Sequence, residues 1–178
     1  MGRAVARLVQ NKTIDALSDL ATAKKASKEN EDKIKLSLIY LQIGQVVQAR
    51  NCLEEVLKKS PEDHQANLYM ANIEQAVGKL NDAEERLNRV INLFPNDSRA
   101  YIQLGNMLLS SKQLDKAIET FEKIKEIEPN NGYVYYALGI GFMEKGEKEL
   151  ALENIDKALK IEPDNEGLKN LHKMISEN

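Results

Sequence analysis

Apolar residues recur along this chain at intervals of three and four, the spacing that places them on one face of an α-helix. In one stretch they are Leu114, Ala117, Phe121, Ile124 and Ile127, with Glu and Lys filling the opposite face. The spacing predicts a helix over about Leu114–Ile127 and a preceding one over about Arg99–Leu109. No run shows the strict alternation of a half-buried strand, so the pattern predicts an all-α fold. The punctuation between helices is periodic. Pro61, Pro95, Pro129 and Pro163 stand at intervals of 34 residues, and no other proline occurs. A fixed period in the range of roughly 20–50 residues marks a stacked repeat.

Other positions keep the same phase. Ala49, Ala83, Ala117 and Ala151 each precede a proline by 12 residues; a small residue in every copy predicts a helix crossing too tight for a larger one. Leu36, Met70, Leu104 and Leu138 are followed by Ser37, Ala71, Gly105 and Gly139. A large apolar side chain can insert there while a neighbour closes over the next site. Leu53, Leu87, Phe121 and Ile155, then Val56, Val90, Ile124 and Ala158, complete an apolar stripe. Gly44, Gly78 and Gly146 suit a left-handed turn that ends the first helix of a pair, and Lys112 is the exception. The Asn and Asp residues after Pro95, Pro129 and Pro163 offer N-caps for the next helix.

At these residues the chain resembles the tetratricopeptide repeat (TPR) family. Tyr101, Leu104-Gly105, Ala117, Phe121 and Pro129 carry the resemblance, as do Tyr135, Leu138-Gly139, Gly146, Ala151, Ala158 and Pro163. It covers Asn30 to Pro163 and implies a right-handed α-solenoid of antiparallel helix pairs with terminal capping helices. The implied division is an N-terminal helical segment at 1–29 (a degenerate repeat or cap), TPRs at 30–63, 64–97, 98–131 and 132–165, and a closing helix at 166–178. The N-terminal segment keeps a helical pattern in Ile14, Leu17, Leu20 and Ala21, and the closing helix presents Leu168, Leu171, Met174 and Ile175. Terminal units need such caps because their apolar faces would otherwise stay exposed. Lys33 and Asn67 stand where later units have Tyr101 and Tyr135, and Glu74 replaces a large buried residue. Looser or more polar packing is expected in the first two units.

Composition narrows the function. With 42% hydrophobic and 30% charged residues and a net charge of −3 over 178 residues, the chain is no disordered tail. It has no long uncharged apolar run for membrane insertion and no basic excess for nucleic acid. Cys52, the sole cysteine, makes neither an internal disulfide nor a structural zinc site. The first residues carry no signal-peptide pattern, so the expected location is the cytoplasm. His64 and His172 read as exposed spectators and Cys52 as a packing residue. Gly139-Ile-Gly141 lacks the third glycine and preceding strand of a dinucleotide site. The sequence therefore points to no enzyme, no metal and no cofactor.

The resemblance implies that the first helices line a concave groove for a peptide or partner helix. Carried over by position, that groove presents Lys35, Leu38 and Gln42, then Tyr69, Asn72 and Ala76. Arg99, Gln103, Asn106 and Ser110 follow, and finally Tyr133, Tyr136, Ala137, Ile140 and Met143. Asn72 and Asn106 repeat in phase and could form an amide row along an extended backbone. Lys35 and Arg99 are the only cations in the set. Leu68, Ile102, Gln103 and Ala137 stand where chaperone-binding members carry basic residues, which disfavours a chaperone-tail adaptor. Tyr133, Tyr136, Ile140 and Met143 converge with Leu171 and Met174, either under the cap helix or as a partner site. The resulting expectation is a non-catalytic protein–protein interaction scaffold. The alternatives are a self-associating structural TPR protein and the targeting domain of a larger protein.

Overall fold

The computed structural model describes residues 29–177 together with Thr22. The N-terminal expectation, Ile14, Leu17, Leu20 and Ala21 included, lies outside the described residues. The described residues form helices α1 (Asn30–Gln42), α2 (Val46–Lys59), α3 (His64–Ala76), α4 (Leu80–Leu93), α5 (Ser98–Ser110), α6 (Leu114–Ile127), α7 (Gly132–Lys145), α8 (Lys148–Ile161) and α9 (Glu166–Glu177). They include no strand. The fold is the all-α helical repeat that the periodicity predicts. The chain divides into two compact units, Met1–Ala83 and Glu84–Asn178.

In the first unit, α1 packs on α2 and α2 on α3. Gly44 turns the chain between α1 and α2 at φ 75°, and its N–H bonds to the Leu41 carbonyl at 3.0 Å. Leu36, Ala49, Leu53 and Val56 are fully buried, with Cys52, Met70 and Ile73 beside them. The three polar substitutions are real, yet the structure closes around them. Lys33 is buried and reaches Glu55 at 2.7 Å. Asn67 donates to the Pro61 and Asp63 carbonyls at 2.9 and 2.8 Å, and Glu74 is buried. In the second unit, the Tyr135 hydroxyl makes the equivalent bond to the Pro129 carbonyl at 2.9 Å. Amide and phenol thus hold the same proline turn, each donating to the proline carbonyl six residues back in the chain.

In the second unit, α5 packs on α6, α6 on α7, α7 on α8 and α8 on α9. Ala117 and Ala151 are fully buried. A Cβ on Gly105 would lie 2.6 Å from the Phe121 ring, and one on Gly139 would lie 2.5 Å from Ile155. The small residues are therefore there because the neighbouring helix already fills their space. Asp97 caps α5, accepting from the Arg99 N–H at 2.9 Å. Asn131 precedes α7 without capping it by its side chain, which donates to Glu128 at 2.6 Å. The cap helix α9 buries Leu168 and Ile175 against Ala151, Ile155 and Ala158 on α8.

Lys112 holds the left-handed turn conformation, at φ 59°, that Gly146 adopts at φ 80°. An L-residue there is strained by about 1–2 kcal/mol. Its ion pair with Glu144 at 2.8 Å is solvent-exposed on the lysine side and offsets little of that strain. Lys112→Gly should raise stability by about 0.5–1 kcal/mol, allowing for the greater freedom of glycine in the unfolded chain. Thermal melting should show a gain of roughly 1–4 °C, and an unchanged or lower melting temperature would contradict the strain.

Candidate functional site

Helix α7 is apolar around most of its circumference (Gly132-Tyr-Val-Tyr-Tyr-Ala-Leu-Gly-Ile-Gly-Phe-Met). Such a helix needs cover on every side. Helices α6, α8 and α5 cover part of it, burying Val134, Ala137 and Leu138. The remaining face carries Tyr133, Tyr136 and Ile140, and it looks into a cavity of about 450 Å³. Leu168 and Leu171 of α9 also line it, together with Gly132, Glu162 and Asn165. Tyr133 and Tyr136 remain 39% and 37% exposed, enough for a ligand to gain by covering them. Their ring centroids are 6.1 Å apart and tilted by 47°.

The Tyr133 hydroxyl donates to Asn106 Oδ1 at 2.7 Å. That bond fixes the ring, and the Asn106 amide nitrogen has no hydrogen-bond acceptor among the described residues. An aromatic-walled cavity beside a fixed amide can hold an apolar side chain and a peptide carbonyl together. A larger cleft, about 580 Å³, lies at the turn of Phe94, Pro95, Asn96, Asp97, Ser98, Arg99 and Glu128. Its polar groups already bind one another: Arg99 clasps Asp97 at 2.5 Å, and the Ser98 hydroxyl donates to Glu128. The smaller cavity is the better candidate.

The structure brings together Asn106, Tyr133, Tyr136 and Ile140 from the sequence-predicted set. Met143 instead joins the core between α8 and α9 and lines a small separate pocket with Met174. Arg99 turns back on Asp97. Gln103 is half-buried, with Oε1 out of solvent, and Ser110 bonds to its own helix through the Asn106 carbonyl at 2.9 Å. In the first unit Lys35, Leu38, Gln42, Asn72 and Ala76 are exposed and Tyr69 is half-buried. Lys35 pairs with Glu31 at 2.5 Å, and that hydrogen bond raises the lysine above its ordinary pKa and lowers the glutamate. Both cations of the predicted set are thus occupied by carboxylates on their own helix or its cap.

Gly132, Glu162 and Asn165 were absent from the sequence-based set. Their signal was the repeat frame, since Gly132 and Glu162 fall in phase with Ser98 and Glu128. The histidines also differ from expectation. His172 lies 3.2 Å from Asp156 and His64 is half-buried, because both sit where successive helices meet. Cys52 is buried, as a packing residue would be. Among the described residues, no group of three His, Cys, Asp or Glu could hold a metal, and no helix is long and apolar enough to cross a membrane.

A family model described as tetratricopeptide repeat matches residues 40–104 and 76–139, and a second of that description matches 132–165. No curated protein matches the sequence significantly. Among solved structures, a crystal structure of MamA is 25% identical, with a TM-score of 0.75, over 90% of this chain and 94% of that one. MamA 41-end from Desulfovibrio magneticus RS-1 is 22% identical, with a TM-score of 0.71, over 85% and 91%. YrrB, described as a TPR protein with an unusual peptide-binding site, is 23% identical, with a TM-score of 0.71, over 96% and 88%. The last two likenesses speak for the fold alone.

Proposed function

On the premise that the chain belongs to the tetratricopeptide repeat family, and is thus a protein-interaction scaffold, we propose that it binds a peptide segment or helix of a partner on its first-helix faces. The anchor site is the cavity between α7 and α9. The observation that carries this reading is the uncovered face of Tyr133, Tyr136 and Ile140, set beside the fixed Asn106 amide. Its volume suits one or two side chains of a bound segment. In the first unit, Lys35, Leu38, Gln42, Tyr69 and Asn72 are the proposed contacts. In the second, Arg99, Gln103 and Met143 are proposed as further contacts outside the cavity. The role is non-catalytic and the setting cytoplasmic.

The test is a random nine-residue peptide library panned on the full chain, followed by affinity measurement of the enriched peptides. Tyr136→Ala should weaken them by at least about thirtyfold, the loss expected of an aromatic hot spot. Asn106→Ala should weaken them by roughly fivefold, the worth of one hydrogen bond. Neither change should move the melting temperature by more than a degree or two, because both side chains are partly exposed. Enriched peptides that bind Tyr136→Ala as well as the parent would remove the cavity from the reading.

Self-association is the second reading, and it draws on a different surface. Val47, Val77 and Leu80 are 68%, 53% and 40% exposed on the turn side of the first unit. Light scattering behind a sizing column, across about a hundredfold concentration range, decides this. A mass that stays at the monomer value removes it.

A further inference from the structure

The anchor cavity carries one charge, and the repeat frame shows why that charge is free. In two other repeats the position opening the first helix is tied to the position closing the second. Asn30 donates to the Ser60 hydroxyl at 3.0 Å, and the Ser98 hydroxyl donates to Glu128 Oε1. Asn131 donates to the other oxygen of Glu128, so that carboxylate is filled on both sides. In the last repeat the tie is missing. Gly132 stands in place of the serine, and Glu162 takes the place of Glu128. Asn165 still donates to Glu162 Oε2 at 2.8 Å, the counterpart of the Asn131 bond. Glu162 Oε1 has no hydrogen-bond partner among the described residues, and it occupies the space a Gly132 side chain would need, 2.7 Å from that Cβ position.

We infer that this cavity takes a lysine or arginine side chain of the bound segment. The inference rests on the peptide-binding reading above and names the anchor. The fit is one of charge and shape together. Among the described residues, Glu162 is the sole charged residue lining the cavity, and no Lys, Arg or His lines it. A basic side chain has an apolar stem and a charged head. The stem lies against Ile140, Leu168 and Leu171, and the head reaches Glu162 Oε1 past the faces of Tyr133 and Tyr136. Tyrosine faces attract cations, and a charge-assisted hydrogen bond to the unfilled carboxylate oxygen is the strong kind. An acidic anchor meets repulsion at the same oxygen. A purely aliphatic anchor fills the walls and leaves the carboxylate covered without a partner.

The test uses the same panned library, displayed with both peptide ends blocked by fusion, so that a free terminal amine cannot supply the charge. Peptides whose binding depends on Tyr136 should be enriched in Lys or Arg at one fixed position. Replacing that residue by norleucine should weaken binding by about tenfold, the worth of a charge-assisted bond. Glu162→Gln should abolish the difference between the lysine and norleucine peptides. Gly132→Ser supplies the missing donor to Glu162, as Ser98 does for Glu128, and should also reduce the preference severalfold while the protein stays folded. Tyr136-dependent peptides without a basic residue, or a preference that survives Glu162→Gln, would overturn the basic anchor and leave the peptide site standing. An absence of Tyr136-dependent peptides would overturn the site itself.

Discussion

Phe121→Ala should cost about 3–5 kcal/mol, the largest loss expected from any single change considered for this protein. Phe121 is fully buried on α6 and its ring fills the space above Gly105 on α5. Glycine has no side chain with which to relax into the hole, so the cavity should persist and the loss should fall toward the top of the range. Urea unfolding measures it, and a loss below about 1 kcal/mol would mean that the α5–α6 pair is not built on this contact. The reciprocal change adds a stricter demand. Gly105→Ala places a Cβ within 2.9 Å of three atoms of the ring and should cost about 1–3 kcal/mol by overpacking. In a Phe121→Leu background the ring is gone, and the same alanine should cost about 1 kcal/mol less. Equal costs in the two backgrounds would refute a direct steric fit between them.

Ala151→Leu is the second large effect, at about 1–3 kcal/mol. Ala151 is fully buried where α8 crosses α7. The approach is close enough that a Cβ on Gly139 would sit 3.4 Å from the Ala151 carbonyl oxygen and 2.5 Å from Ile155. A leucine there must displace side chains already packed in the same cluster, Ile155, Leu168 and Ile175 among them, or move the helices that carry them. Ala117→Leu should behave alike at the α5–α6 crossing. Ala76→Leu is the control, since Ala76 is exposed at the end of α3 and a change there should stay within about 0.5 kcal/mol. Ala151→Leu melting like the parent would show that the alanine phase marks no tight crossing.

The sequence by itself determined the helices, their order and the tight positions. Pro61, Pro95, Pro129 and Pro163 cannot continue a helix, Gly44, Gly78 and Gly146 tolerate a left-handed turn, and the four alanines allow close crossing. Each of these is a property of the backbone or of a Cβ, and a repeat frame locates backbone and Cβ well. The same frame placed Tyr133, Tyr136, Ile140 and Asn106 on a shared face. It did not show where the long side chains would go. Arg99 and Lys35 turn to Asp97 and Glu31, since a flexible cation takes the nearest carboxylate, and phase says nothing about that. Nor did it divide the apolar residues between core and site. Met143 and Met174 line one small pocket while Tyr136, Leu168 and Leu171 line the larger cavity, a division set by where α9 seats on α8. Gly132 and Glu162 acquire meaning only together. They are 30 residues apart in the chain, and it is packing that places the free carboxylate oxygen in the space that a serine side chain fills in the preceding repeat.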